Sequence, residues 1–284
     1  MADQRGRAAL LVVGATAVAL WCAAAAAAGG QAPSGAAPAY TPPRTSDGQP
    51  DIQGIYNPIG TFYNIQDLEF QSLYQDFTPN PAGRGRSLIV DPPDGKIPYQ
   101  PWAAEKVKPI YAQHADPTPQ YLDPNARCFP QGVPRHLNNR EFEIFQPRGH
   151  VVVLNMAHHT YRVIPLDGSP HVPDDIKLWM GDSRGRWDGN ALVVDVGNLN
   201  DQTWFDVMAS FHSDAMRVTE RFTPVSADTI EYRAVITDPK VYTRPWTLAL
   251  RFQRNTEYGA ELYEEACFEA NERALENMLR RPGR

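Results

Sequence analysis

One glutamate stands out by strand parity. Between Ala215 and Thr223 the residues alternate, with Met216, Val218, Glu220 and Phe222 on one face and Arg217, Thr219, Arg221 and Thr223 on the other. The second face is the wet one, so Glu220 is expected to point inward among apolar side chains. The following strand offers Ile230, Tyr232, Ala234 and Ile236 on its apolar face, where the small Ala234 leaves space. An unpaired buried carboxylate is costly, so it either finds a partner or takes up a proton with a raised pKa. In the second state it suits general acid or base chemistry. In the first it is a structural salt bridge, for instance to an inward arginine. The sequence leaves both open.

His212 and Asp214 lie just before this strand, at a spacing that suits an acid–base pair or a loop cap in which Asp214 accepts backbone hydrogen bonds. Asp201, Trp204 and Asp206 lie in the loop upstream, near the same rim. Two carboxylates and a histidine are compatible with a divalent metal, but the spacing singles none out. Asp182, Arg184 and Arg186 alternate along a further strand and read as an ion-pair ladder, with anion binding as the rival reading. His159, Tyr161 and Val163 share a parity and are expected to line the interior, whether as ligand contacts or as core. Trp187, Trp204 and Trp246 suit either an aromatic cage or packing. The candidate set is therefore Glu220, His212 and Asp214 for proton transfer, with Trp204, Tyr232, Trp246, His159 and Tyr161 lining a pocket. No cofactor and no metal is expected.

These positions need strands to hold them. From Glu141 the sequence alternates in short runs broken by turns: Glu143–Phe145, His150–Met156, His159–Pro165, Ser183–Trp187, Ala191–Val196, Ala215–Thr223, Thr229–Thr237 and Trp246–Gln253. Asp188-Gly189-Asn190 is the strongest hairpin signal among them. Consecutive hairpins at this spacing predict a mainly β fold, an antiparallel meander closed as a calycin-like (lipocalin-like) barrel, with a β-sandwich as the alternative. Residues 42–140 are proline-dense yet carry many aromatics, which predicts an extended wrap over the barrel with a short helix near Trp102–Gln113. The barrel is expected over 141–270. Ala274, Leu275 and Met278 at helical spacing predict a terminal helix within 271–284. Residues 42–284 thus form one domain.

The first 28 of the 284 residues read as a signal peptide, with Arg5 and Arg7 ahead of an apolar stretch from Ala8 to Ala28 that ends in alanines. The rival is a membrane anchor, which the weakly apolar alanines disfavour. A disordered linker follows over 29–41. Export makes the location periplasmic or secreted. The net charge of −6 is spread without a basic block, which argues against nucleic acid and against an anionic membrane surface as partners. Cleavage would leave Cys128 and Cys267, which an oxidising compartment would join, with unpaired thiols as the alternative. No C-x-x-C zinc spacing, G-x-S-x-G elbow, phosphate-binding loop or dinucleotide fingerprint occurs.

Several motifs together resemble a large group of exported bacterial proteins. They are Thr45-Ser46-Asp47-Gly48-Gln49-Pro50-Asp51-Ile52, Cys128-x-Pro130-x-Gly132-x-Pro134-Arg135, Gly181-Asp182-Ser183-Arg184-Gly185-Arg186-Trp187-Asp188-Gly189 and Leu192-Val193-Val194-Asp195. His212-Ser213-Asp214, Glu220-Arg221-Phe222, Asp238-Pro239 and Thr243-x-Pro245-Trp246 complete the set. The resemblance spans nearly the whole mature chain and implies export and a β-rich fold, without implying an activity. Where the group typically reads A-C-H-E-G-N-Y, this chain has Ala266-Cys267-Phe268-Glu269-Ala270-Asn271-Glu272, so any role of that histidine is missing.

Two functional expectations follow. The first is an enzyme acting on an apolar small molecule by acid–base chemistry (hydration, dehydration, isomerisation or cyclisation) through Glu220, aided by His212 and Asp214. The second is a non-catalytic binder or carrier of such a molecule in the cell envelope. A third possibility is an envelope scaffold with a filled core.

Overall fold

The computed structural model describes residues 40–59, 64–66, 87–113, 118, 121–138, 140–257 and 259–267. The expected signal peptide, most of the linker and the terminal helix lie outside the described residues. Among the described residues there are ten strands: β1 Gly54–Pro58, β2 Ile89–Asp91, β3 Phe142–Phe145, β4 His150–Asn155, β5 Tyr161–Pro165, β6 Asp182–Asp188, β7 Ala191–Gly197, β8 Arg217–Pro224, β9 Thr229–Thr237 and β10 Trp246–Arg254. The α-helix of the described residues, α1 Pro101–Ala112, begins with proline at its first position, where the missing N–H costs nothing.

Along the sheet the strands run β5-β4-β3-β1-β10-β9-β8-β7-β6, and every hydrogen-bonded pair is antiparallel. The result is a nearly closed nine-strand barrel. An odd number of strands cannot alternate all the way round a ring, so β5 and β6, the two ends of the path, point the same way. They meet at a seam without a ladder. There, a Cβ on Gly185 of β6 would lie 2.7 Å from both Ile164 Cγ2 and Leu166 Cδ2. The glycine lets the β5 side chains reach the β6 backbone and close the wall.

The proline-rich wrap contributes more than cover. β1 lies within it and completes the ring between β10 and β3, so the barrel is not confined to residues 141–270. β2 pairs with the other half of the same β10 edge. A five-residue strand ending in proline shows too little alternation to announce itself. Ile52, Tyr56, Ile65, Leu88, Ile89 and Ile97 from this region are buried in the core.

Antiparallel alternation also fixes the two ends of the barrel. One end carries the tight turns near Gly149, Gly189 and Ser226, with the start of β1 and the end of β10. The segment Tyr40–Gln53 crosses it, held by Arg44 Nη2 donating to Asn190 Oδ1 (3.0 Å) and the Ile52 amide donating to Gln146 Oε1 (2.7 Å). The other end is covered by the long loops 121–138 and 199–212. Between them the interior holds a ring-on-ring core, with Phe142 edge-on to Phe252 at 4.8 Å, Phe222 to Tyr232 at 4.9 Å and Phe205 to Trp246 at 5.2 Å.

Candidate functional site

β8 and β9 alternate as parity requires, and Glu220 points inward with no exposed surface. Its partner comes from β5. Arg162 reaches across the interior and grips the carboxylate with two hydrogen bonds, Nη1 to Oε1 at 3.1 Å and Nη2 to Oε2 at 2.5 Å. Nη2 also donates to Ser183 Oγ on β6 at 3.0 Å, and Tyr232 of β9 donates its hydroxyl to Glu220 Oε1 at 2.7 Å. His136, in a 3-10 turn over Arg135–Leu137, completes the group. Its Nδ1 is 3.2 Å from the Gly132 carbonyl and its Nε2 is 3.1 Å from Arg162 Nη1. A guanidinium only donates, so Nε2 is the acceptor, Nδ1 carries the proton and the ring is neutral. Burial first, and then the Arg162 charge, hold the His136 pKa well below its ordinary 6.5. Burial, then Glu220, push Tyr232 well above the usual phenol value. Arg162 Nε is buried without a hydrogen-bond partner among the described residues.

β5 has the opposite parity to the one expected. Tyr161 and Val163 face outward, 67% and 47% exposed, while Arg162 and Ile164 face in. The assignment put the aromatic and aliphatic residues inside and the arginine in water. The buried carboxylate reverses it, because Glu220 requires a cation and Arg162 has the length to bring one. His159 is not part of the strand either. It sits in the tight turn Ala157–His159 with a left-handed backbone (φ 50°), directly after His158 with φ 55°.

His212 is buried and apart from the Glu220 group. Its Nδ1 donates to the Ser213 carbonyl at 3.0 Å, and its Nε2 accepts the Thr203 hydroxyl at 2.7 Å. Burial is the main reason its pKa falls below 6.5. Asp214 makes no acid–base pair with it; at the surface it takes a 2.7 Å ion pair from Lys240. The residue that caps this loop is Asp238, which accepts the Ser213 amide at 2.6 Å and the Ser213 hydroxyl at 2.9 Å. Asp206 is fully buried within its own loop, accepting from the amides of Ile65, Met208 and Ser210 and from the Ser210 hydroxyl. Its pKa is raised by that burial, against the opposing hydrogen bonds. Asp201 is exposed. Among the described residues no three His, Cys, Asp or Glu side chains are placed to hold a metal ion. Trp246 packs fully buried against Phe205 and Tyr242, while Trp204 is half-buried over the 121–138 loop.

The Asp182 ladder does share a face. Arg184 Nη1 donates to Asp182 Oδ1 at 2.9 Å. His171, which parity reasoning passed over because it lies outside any strand, bridges Asp182 (2.6 Å) and Asp195 (2.8 Å) with its two ring nitrogens. It pins the β5–β6 connection to β6 and β7. Cys128 and Cys267 form the expected disulfide, with Cα atoms 5.7 Å apart.

The described cavities lie away from Glu220. One, of about 330 Å³, is bounded by the end of β4 (Leu154, Asn155), Met156 and His159 on one side and by Leu262, Tyr263 and Glu264 on the other. The second wall is a strap, tied down by the disulfide, by Arg140 Nε to Glu265 Oε1 at 3.0 Å, and by the Glu265 amide donating to His159 Nε2 at 3.0 Å. The other cavity, of about 290 Å³, lies at the turn end beneath Tyr40–Gln53. Of the pocket residues expected from sequence, His159 alone lines a described cavity, and that cavity is on the outer side of the wall. Leu154 faces outward there and is half-buried under the strap.

No protein-family model matches this chain, and no curated protein or solved structure matches it either.

Proposed function

We propose that this chain is an exported β-barrel protein that binds an apolar small molecule without transforming it, in the cavity between β4 and the C-terminal strap. The carrying observation is the lining of that cavity. Leu154, Met156, Leu262 and the Tyr263 ring supply apolar walls, His159 and Asn155 supply a few polar atoms, and the volume of about 330 Å³ falls at the lower end of the ~300–1,000 Å³ usual for small-molecule sites. The acid–base reading needs Glu220 to exchange a proton with a substrate. Both of its oxygens are engaged, and none of its surface is exposed. Binding requires no such group. Export rests on the Arg5–Ala28 pattern and is supported by the disulfide, which persists in oxidising compartments.

The test is a titration of the protein with aliphatic alcohols, phenols and terpenoid hydrocarbons, read by NMR at Leu154, His159 and Leu262, with product analysis after long incubation. Saturable shifts confined to these residues are expected, at least roughly tenfold weaker in Leu262→Asp because a charge must then be buried beside the ligand. No product should form. Turnover abolished by Glu220→Gln would reinstate the enzyme reading, and binding indifferent to Leu262→Asp would remove the site.

A further inference from the structure

The second cavity differs in chemistry. Its walls include Tyr40, Ile52, Tyr56 and Ile230, and two opposite charges border it, Arg254 and Asp51. Arg254 lies over the Tyr56 ring at 4.9 Å from the guanidinium carbon. Its Nε donates to the Ala227 carbonyl at 3.2 Å and its Nη1 to the Gln53 carbonyl. Nη2 carries no hydrogen bond among the described residues and is not enclosed. The guanidinium is therefore held by two backbone carbonyls and a ring face, with its Nε also 4.0 Å from Asp228 Oδ1 and its Nη2 open. Asp51 is arranged alike: Oδ1 accepts the Gln53 amide at 3.0 Å, and Oδ2 is free of described partners. Arg254 and Asp51 do not pair with each other, although both act on the buried Tyr56 hydroxyl. The Tyr56 pKa rises to about 12, chiefly through burial, with Arg254 lowering it and Asp51 raising it.

A fixed cation and a fixed anion, each with one open valence, on the rim of an apolar cavity of about 290 Å³ complement a small molecule that bears both charges. We propose that the turn-end cavity binds a zwitterion of the amino-acid type with an apolar side chain, its carboxylate on Arg254 and its ammonium on Asp51. The side chain would lie against Ile52, Ile230 and the tyrosine rings. This site is independent of the strap cavity, and either can stand without the other.

The experiment is calorimetric and NMR titration of the full chain with leucine and phenylalanine, beside N-acetyl-leucine, which lacks the ammonium, and leucinamide, which lacks the carboxylate. The free amino acids should bind, and each blocked form should bind about 10- to 100-fold more weakly, as expected for loss of one charge-assisted hydrogen bond. Asp51→Asn should weaken leucine by a similar factor and leave N-acetyl-leucine unchanged. Arg254→Met should weaken leucine and leave leucinamide unchanged. Should Arg254→Met unfold the turn end, the Asp51→Asn variant and the blocked ligands decide the matter alone. Absence of binding at about 10 mM amino acid, equal binding of blocked and free forms, or an Asp51→Asn variant indistinguishable from wild type would each overturn the proposal.

Discussion

Replacing Glu220 by glutamine should leave its shape intact and remove its charge. The Tyr232 hydroxyl keeps an acceptor in the amide oxygen, but the Arg162 guanidinium, 3% exposed, loses its counter-charge. Removing one partner of a buried ion pair costs about 3–5 kcal/mol, because the remaining charge is stranded in low dielectric. For a domain of this size each kcal/mol lowers the melting temperature by roughly 2–4 °C, so a fall of about 6–20 °C is expected. Arg162→Met should cost a similar amount. It strands Glu220 and also removes the donor to His136 Nε2 and to Ser183 Oγ. With both substitutions no charge is stranded, and the loss should fall well below the ~6–10 kcal/mol sum of the two singles. The assay is urea denaturation of wild type, both single variants and the double variant, combined with amide hydrogen exchange. In Arg162→Met, exchange should rise most along β5 and β6, where no ladder joins the strands. Single variants within about 1 kcal/mol of wild type, or additive losses, would refute the bracket assigned to this pair.

Three further outcomes can be checked on the same protein. His136 and His212 are buried and neutral with pKa values below the ordinary 6.5, so below that value the unfolded chain binds more protons than the native one and stability must fall with pH. Stability should therefore decline as the pH is lowered from about 7 to 5.5, by at most about 1.4 kcal/mol per pH unit for each histidine, a loss that urea melts at the two pH values will read; a flat or rising profile would contradict the neutral assignment. Gly185→Val should open the seam, since even a Cβ would lie 2.7 Å from Ile164 and Leu166, and overpacking of this kind costs about 1–3 kcal/mol. A thermal melt with no shift would show that the seam gives way freely. Cys128→Ser with Cys267→Ser releases a crosslink across 139 positions, worth about 5 kcal/mol in the chain-entropy model, and comparison of denaturant midpoints would measure it.

What the sequence disclosed and what it hid follow one division. Period-two alternation reads the faces of β8 and β9 directly, so the inward position of Glu220 and Tyr232 was legible, and so were the hairpin at Gly189 and the helix at Pro101–Ala112. Alternation fails where a polar residue is inside and apolar ones are outside. β5 is that case, and only the charge demand of Glu220 could have pointed to Arg162. β1 was hidden for a different reason: its place depends on pairing with β10, almost two hundred residues later, and nothing local in Gly54–Pro58 encodes that partner. His171 and Asp238 lie in loops, where no periodicity exists to be read. The expectation for His212 and Asp214 took nearness in sequence as nearness of side chains. At a turn leading into a strand the two diverge, one into the core and the other to Lys240 at the surface.

The position of the polar core follows from the odd strand count. A nine-strand ring of antiparallel neighbours must contain one parallel contact, and here that contact has no backbone ladder. Arg162 sits on one strand of the seam, Ser183 on the other, and Glu220 two strands beyond. The guanidinium thus ties β5 to β6 and β8 from within. His171 ties the β5–β6 connection to β6 and β7 from outside, and Gly185 admits Ile164 and Leu166 between them. Three unrelated devices converge on the one interface of the ring that has no main-chain ladder. A buried charge pair has a structural reason to sit where the ring lacks a main-chain ladder. Closure of the barrel thus accounts for the fully buried Arg162–Glu220 pair.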